Sequence, residues 1–226
     1  MRALVVANSY DADPGFVGNR LRARGFDLVA CHREHPNDWP DLDGVELVLP
    51  LGSDWSVYWE HVQPSVVSES NLLVAAHQRG IPILGICFGG QMLAHSLGGS
   101  VARAPEPEIG WYSVVSAVPE LAGDGPWFQW HADRFTAPAG AEQLGSSPLA
   151  EQAFRIGRSL ALQFHPEVTT AVVERWCRGG AEELKRHGRH ADALVAETLR
   201  QVGRSEHAAT RLVDWFCESV AGTTST

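Results

Sequence analysis

Short apolar runs alternate with segments of helical length through the first hundred residues. Ala3–Ala7, Leu28–Cys31, Val45–Leu49 and Ile81–Ile86 are β-branched or leucine-rich and read as buried strands. Between them, Phe16–Arg24 carries Val17 and Leu21 four apart, and Ser65–Gln78 carries an apolar centre from Leu72 to Ala76; both read as helices. Strand and helix in this rhythm predict a mostly parallel α/β sheet with helices on both faces. From about Gly99 the pattern changes. Ser100–Val118 and Trp127–Phe135 are rich in Val, Trp, Tyr and Phe, punctuated by Pro and Gly, and read as antiparallel strands or hairpins added to the sheet. Phe154–Ile156 and Ser159–Phe164, joined by Gly157-Arg158, read as a hairpin. After Thr169 the pattern is helical: Val172, Val173, Trp176 and Cys177 share one face, and Leu212, Val213, Phe216 and Val220 another. Gly179-Gly180 and the polar run Lys185–His190 are expected to break this tail, and Gly222–Thr226 to fray.

Composition bounds the function. The chain has 226 residues, 44% hydrophobic and 20% charged, with a formal net charge of −9. An acidic chain without a dense basic run is a poor partner for nucleic acid. Arg2, Arg20, Arg22, Arg24 and Arg33 are scattered and read as a solvated face. No run approaches the ~20 apolar residues of a membrane helix. The N-terminus reads as a first strand rather than a signal peptide. Cys31, Cys87, Cys177 and Cys217 show no CxxC or Cys/His ligand spacing, so neither a metal nor a cofactor is expected, and free thiols fit a reducing cytoplasm. His187, His190 and His207 read as solvated helix histidines. Asp11, Asp13, Pro14 and Gly15 read as a turn leading into a helix.

Chemistry concentrates in two segments. In Ile81–Gly99 a buried strand ends at Gly85-Ile86 and a helix carrying Met92, Leu93, Ser96 and Leu97 follows, so Cys87 falls in a tight strand-to-helix turn. Glycines at 85, 89 and 90 permit the turn, and the helix N-terminus favours a thiolate. A lone cysteine in an apolar run is ordinarily a small core hydrophobe; the glycines and the polar Gln91 weigh against that here. In Leu160–Glu167 a strand ends in His165-Pro166-Glu167. Pro166 holds His165 extended, and residues two apart in extended chain project to the same side, so Glu167 can reach the imidazole. That is the base-and-orienter half of a nucleophilic triad, or, read blandly, a capped turn with a surface ion pair.

Together these segments resemble a known family. Gly85-Ile-Cys87-Phe-Gly89-Gly-Gln91 is similar to the nucleophile elbow of class I (triad) glutamine amidotransferases, and Phe164-His165-Pro166-Glu167 to their Phe-His-Pro-Glu. Glu108-Ile-Gly-Trp111 and Gln129-Trp-His131-Ala-Asp133 are similar to the GMP-synthase-like branch. The resemblance covers roughly residues 1–170 and implies a flavodoxin-like domain there, with 171–226 a helical extension packed on it. It implies that Cys87 attacks a γ-glutamyl carbonyl to form a thioester, that His165 shuttles protons and that Glu167 orients it. It further implies an oxyanion hole from the backbone of Phe88 and of Gly52 or Ser53, with Gln91 and the His131 segment holding the α-amino and α-carboxylate groups. The loop departs from the family's Gly-Gly-Pro pattern, since Ser53 and Asp54 stand at the second and third positions; Ser53 tolerates positive φ less well than glycine. Three expectations follow: a glutaminase subunit serving a synthetase partner, a stand-alone γ-glutamyl hydrolase, or a catalytically silent interaction module. Trp55, Trp59, Trp111, Trp127 and Trp130 are candidates for an aromatic rim around the substrate, the alternative being ordinary packing.

Overall fold

The computed structural model describes residues 1–123 and 125–222; the terminal segment expected to fray lies, but for Gly222, outside them. In chain order the elements are β1 (Arg2–Ala7), α1 (Gly15–Ala23), β2 (Asp27–His32), β3 (Val45–Pro50), α2 (Gln63–Gln78), β4 (Ile83–Ile86), α3 (Phe88–Ser96), β5 (Ser100–Tyr112), α4 (Pro119–Ala122), β6 (Trp127–Thr136), β7 (Glu142–Ser146), β8 (Glu151–Ile156), β9 (Ser159–Leu162), α5 (Thr170–Gly179), α6 (Ala181–Arg186) and α7 (Ala191–Trp215). A π-helical turn, Phe216–Val220, continues α7.

Seven strands form one sheet in the order β2-β1-β3-β4-β9-β8-β7. β2, β1, β3, β4 and β9 run parallel, and the β8–β9 hairpin and β7 extend the edge antiparallel. The parallel strands are apolar at nearly every position because both faces are covered. Ala3, Val5, Leu47, Leu49, Leu84 and Leu160 meet Val17 and Leu21 of α1 and Leu212 and Val213 of α7 on one face. Leu4, Val6, Val48, Ile83 and Ala161 meet Val66 and Leu73 of α2 and Met92 and Leu93 of α3 on the other. Alternate residues of each strand thus feed two cores.

Two expectations are corrected. β5 and β6 are not added to the main sheet; they pair with each other as a separate two-stranded ribbon, in register from Glu108↔His131 to Tyr112↔Trp127. The strand that does extend the edge is β7, which the pattern of its five residues did not announce. The arginines are not one solvated face either. Arg33 has no exposed side-chain surface and pairs with the equally buried Glu69 at 2.7 Å. Arg20 and Arg24 both bind Asp214 of α7 at 2.8 Å, tying α1 to α7. Isolated cations at strand and helix ends read as surface; only tertiary partners reveal otherwise.

Candidate active site

In an open parallel sheet, ligands bind beyond the carboxyl ends of the strands where the strand order reverses. Here the order reverses between β1 and β3, and the segments following β1, β3, β4 and β9 converge there. Cys87 follows β4 directly. Its φ of 51° and ψ of −108° make it, among the described residues, the non-glycine with positive φ. Such a conformation stores strain and is held only by its surroundings. Those are the Leu162 carbonyl, which accepts the Cys87 N–H at 2.8 Å, and the Gln91 N–H, which donates to the Cys87 carbonyl at 2.9 Å. The elbow glycines serve closeness: a Cβ on Gly89 would lie 2.0 Å from the Pro50 carbonyl oxygen, and one on Gly90 2.6 Å from that of Leu162. The helix start is thereby seated directly on the ends of β3 and β9.

His165 is held by its backbone, whose N–H donates to the Phe128 carbonyl at 2.8 Å across a bridge to β6. Its Nδ1 lies 2.7 Å from Glu167 Oε1, both side chains being nearly fully buried. This fixes the tautomer, with Nδ1–H donating to the carboxylate. Nε2 is buried without a hydrogen-bond partner of ordinary geometry, on the side of Cys87. Burial alone lowers the imidazole pKa, but the negative charges of Glu167 and Cys87 outweigh it and hold His165 well above 6.5. Glu167 is anchored in turn: its carbonyl accepts the Phe16 N–H at 2.9 Å. The contact requires Gly15, at φ 46°, where a Cβ would fall 1.9 Å from that oxygen.

The loop after β3 runs beside this pair. A Cβ on Gly52 would lie 3.0 Å from His165 Cε1 and 3.7 Å from Cys87 Cβ, so glycine is needed there for space. Ser53 does not adopt positive φ; its Oγ instead accepts the Trp55 N–H at 3.1 Å and closes a local turn. The departure from Gly-Gly-Pro is therefore accommodated without a left-handed residue. Among the described residues the N–H groups of Gly52 and Ser53 donate to no protein group, and Phe88, the first residue of α3, has a free N–H by helix geometry.

Gln91 and His131 reach the same cavity. Gln91 Nε2 donates to the Asp133 carbonyl at 3.1 Å; His131 Nδ1 lies 2.9 Å from that oxygen, and its Nε2 is 3.2 Å from Glu108 Oε2. The two blocks Glu108–Trp111 and Gln129–Asp133 are thus one unit, paired across β5–β6. Asp133 accepts from Ser56 Oγ at 2.5 Å and Tyr58 Oη at 2.8 Å, which fastens this ribbon to the segment after β3.

The cavity has a volume of about 600 Å³. Of the candidate rim residues Trp55, Trp59 and Trp130 line it, whereas Trp111 donates to Thr198 on α7 and Trp127 stacks on Phe164 in the core. The sequence reading missed Trp176, whose ring meets the His165 imidazole edge-on at 4.8 Å. Asp11 accepts from Trp176 Nε1 at 2.7 Å and from Arg175 at 2.6 Å, and Glu183 accepts from Trp130 Nε1 at 2.9 Å. One wall of the cavity is thus built by α5 and α6. Trp176 showed only as one apolar position on a helical face; nothing local pointed it toward His165.

The family description "Glutamine amidotransferase class-I" matches residues 62–175. Among curated proteins, the chain is 28% identical to a glutamine-hydrolyzing GMP synthase of Bdellovibrio bacteriovorus, covering 99% of this chain and 45% of that protein. It is 32% identical to a GMP synthase of Albidiferax ferrireducens over 70% of this chain and 33% of that protein. The chain therefore spans less than half the length of these relatives. A solved glutamine amidotransferase of Thermotoga maritima superposes with a TM-score of 0.85 at 29% identity, covering 97% of this chain and 99% of that one. A glutamine amido transferase of Methylobacillus flagellatus has the same fold, with a TM-score of 0.85 at 21% identity. Fold, site and family match agree: the chain belongs to the class I glutamine amidotransferase family.

Proposed function

We propose that this chain hydrolyses the γ-amide of glutamine, or of a γ-glutamyl compound, through a thioester on Cys87. The Cys87 thiolate adds to the γ-carbon, and the carbonyl oxygen, now an oxyanion, lies against the amides of Phe88 and of Gly52 or Ser53. His165 gives its proton to the departing nitrogen, and ammonia or an amine leaves. Water then attacks the thioester, His165 takes its proton, and glutamate and the thiolate are restored. Glu167 keeps Nδ1 protonated so that Nε2 is the nitrogen facing the sulfur. Gln91 and the His131 segment hold the α-amino and α-carboxylate end. The observation that carries this reading is the strained Cys87 elbow beside a buried His165–Glu167 pair at 2.7 Å. The silent-module reading predicts a broken triad, and all three positions are filled. A reducing cytoplasm suits four cysteines that form no disulfide, and no described helix is long and apolar enough to cross a membrane.

The fate of the nitrogen separates two forms of the activity. The matched relatives are named glutamine-hydrolyzing GMP synthases, which favours delivery of the ammonia to a synthetase. The cavity favours a stand-alone γ-glutamyl hydrolase: at about 600 Å³ it falls in the ~300–1,000 Å³ range of sites for drug-sized ligands, with Trp55, Trp59, Trp130 and Trp176 around it. Purified protein is to be assayed on glutamine, γ-glutamyl peptides and γ-glutamylated amines without any partner. Strong turnover of a γ-glutamyl conjugate identifies the hydrolase; turnover that appears only with a synthetase identifies the subunit. Cys87→Ala is expected to abolish either activity, and full activity in that variant sinks the assignment.

A further inference from the structure

Arg33 follows β2 and lies beneath the loop that runs beside Cys87. All five of its N–H donors are used. Nε and one Nη2 hydrogen grip Glu69 at 2.7 and 3.1 Å, one Nη1 hydrogen reaches Asn8 Oδ1 at 3.2 Å, and the remaining two bind the Gly52 carbonyl at 3.1 Å and the Leu51 carbonyl at 2.8 Å. The same guanidinium lies 4.8 Å from the centre of the Phe88 ring. The Leu51 carbonyl also accepts the Gly89 N–H at 3.1 Å, which links the loop to the start of α3. In a trans peptide the N–H points opposite to the C=O of the same unit. Holding the Leu51 and Gly52 carbonyls on the Arg33 side therefore aims the N–H groups of Gly52 and Ser53 at the opposite side, and Gly52 and Ser53 line the cavity there. A positive charge on those carbonyls also polarises the peptides and strengthens their N–H groups as donors.

Stability alone is a weak reason for such an arrangement. A buried ion pair can often be exchanged for apolar residues of similar size without loss. The loop also lacks the family's second glycine and proline, so something other than chain stiffness must set its geometry.

We propose that Arg33 is a positioning residue of the oxyanion hole, holding the Leu51 and Gly52 carbonyls and the Phe88 ring so that the amides on both sides of the hole face the carbonyl beside Cys87. This rests on the reading of Cys87 given above.

Two variants test it. Arg33→Lys keeps a charge for Glu69 but has no fork to span two carbonyls. Arg33→Met combined with Glu69→Met removes the ion pair without stranding a buried charge. Both are compared with the unmodified chain in hydrolysis of glutamine or the best γ-glutamyl substrate, and in alkylation of Cys87 by iodoacetamide. Alkylation displaces iodide from a saturated carbon and builds no oxyanion, so it reads only the thiolate and its access. The expected result is a kcat lower by about 100-fold with KM little changed, and alkylation at the rate of the unmodified chain. Undiminished kcat overturns the proposal. Alkylation falling in step with kcat, or failure of both variants to fold, makes Arg33 a structural residue and overturns it too. An unmodified chain inert on every substrate sinks the underlying reading instead, and the two failures are told apart by that control.

Discussion

Cys87 carries a backbone conformation that costs a non-glycine residue roughly 1–3 kcal/mol, and the residues around it have little room to compensate for change. Gly52 shows this most directly. A methyl there meets His165 Cε1 at 3.0 Å, so Gly52→Ala is expected to displace the imidazole while leaving the fold intact. A misplacement of about 1 Å costs about 100-fold, so the smaller shift expected here should lower turnover by less than that; kcat near the parent value, with an unchanged melting curve, contradicts the predicted crowding. His165 gives a pH-dependent prediction. Its folded-state pKa lies above 6.5, so folding favours the protonated ring. The resulting stability is complete below 6.5 and is lost as pH rises through the raised value. Glu167→Gln removes one of the charges that raise it, so the loss should begin at lower pH. Melting temperatures measured across that range for both proteins decide it, and superimposable curves refute the coupling. Cys87, His165 and Glu167 were legible in the sequence because glycine spacing and a His-Pro-Glu strand end are local patterns. Arg33 was not, because a single arginine at a strand end carries no sign of a buried carboxylate 36 residues away.

At the scale of elements, the parallel strands were legible because burial on both faces leaves an uninterrupted apolar run. The β5–β6 ribbon was legible as strands but not in its pairing. Amphipathic strands do not encode which edge they join; these two pair with each other through Glu108↔His131, while Gln152 of β8, donating to Glu108 at 2.9 Å, ties the ribbon to the main sheet. The α1–α7 contact has the same character. Arg20 and Arg24 converge on Asp214, and although burial raises its pKa, their hydrogen bonds and charges hold it below 3.8. The stability this contributes is present above 3.8 and fades as pH falls through the depressed value. Asp214→Asn keeps the shape and removes the charge. Charge-assisted hydrogen bonds are worth about 1.5–3 kcal/mol each, but Arg20 and Asp214 are about a third exposed and partly screened, so the expected loss is about 1 kcal/mol at neutral pH. Denaturant unfolding measures it, and a variant as stable as the parent shows the cluster to be solvent-balanced.

For the whole molecule, the resemblance leads to the expectation of a domain of about 170 residues followed by a helical tail, and the contacts tie the tail's helices to that part. Leu212, Val213 and Phe216 cover the sheet face that Ala3, Val5, Leu47 and Leu160 present, beside α1. Trp176 closes on His165, and Trp130 reaches Glu183. The tail is thus both one layer of the sandwich and one wall of the cavity. Fully burying a side chain such as leucine or phenylalanine is worth ~1.5–3 kcal/mol. Leu212, Val213, Phe216 and Val220 together are therefore comparable with the ~5–15 kcal/mol by which a domain is stable at all. A chain ending at residue 170 is expected to lose its cooperative melting transition and to bind a dye for exposed apolar surface. Trp176→Ala in the full chain separates the two roles: it should leave the melting transition cooperative while lowering kcat, because the imidazole loses the ring against which it is set. A truncated chain that melts as sharply as the full one would show that residues 1–170 fold without the tail and that its helices only cover the site.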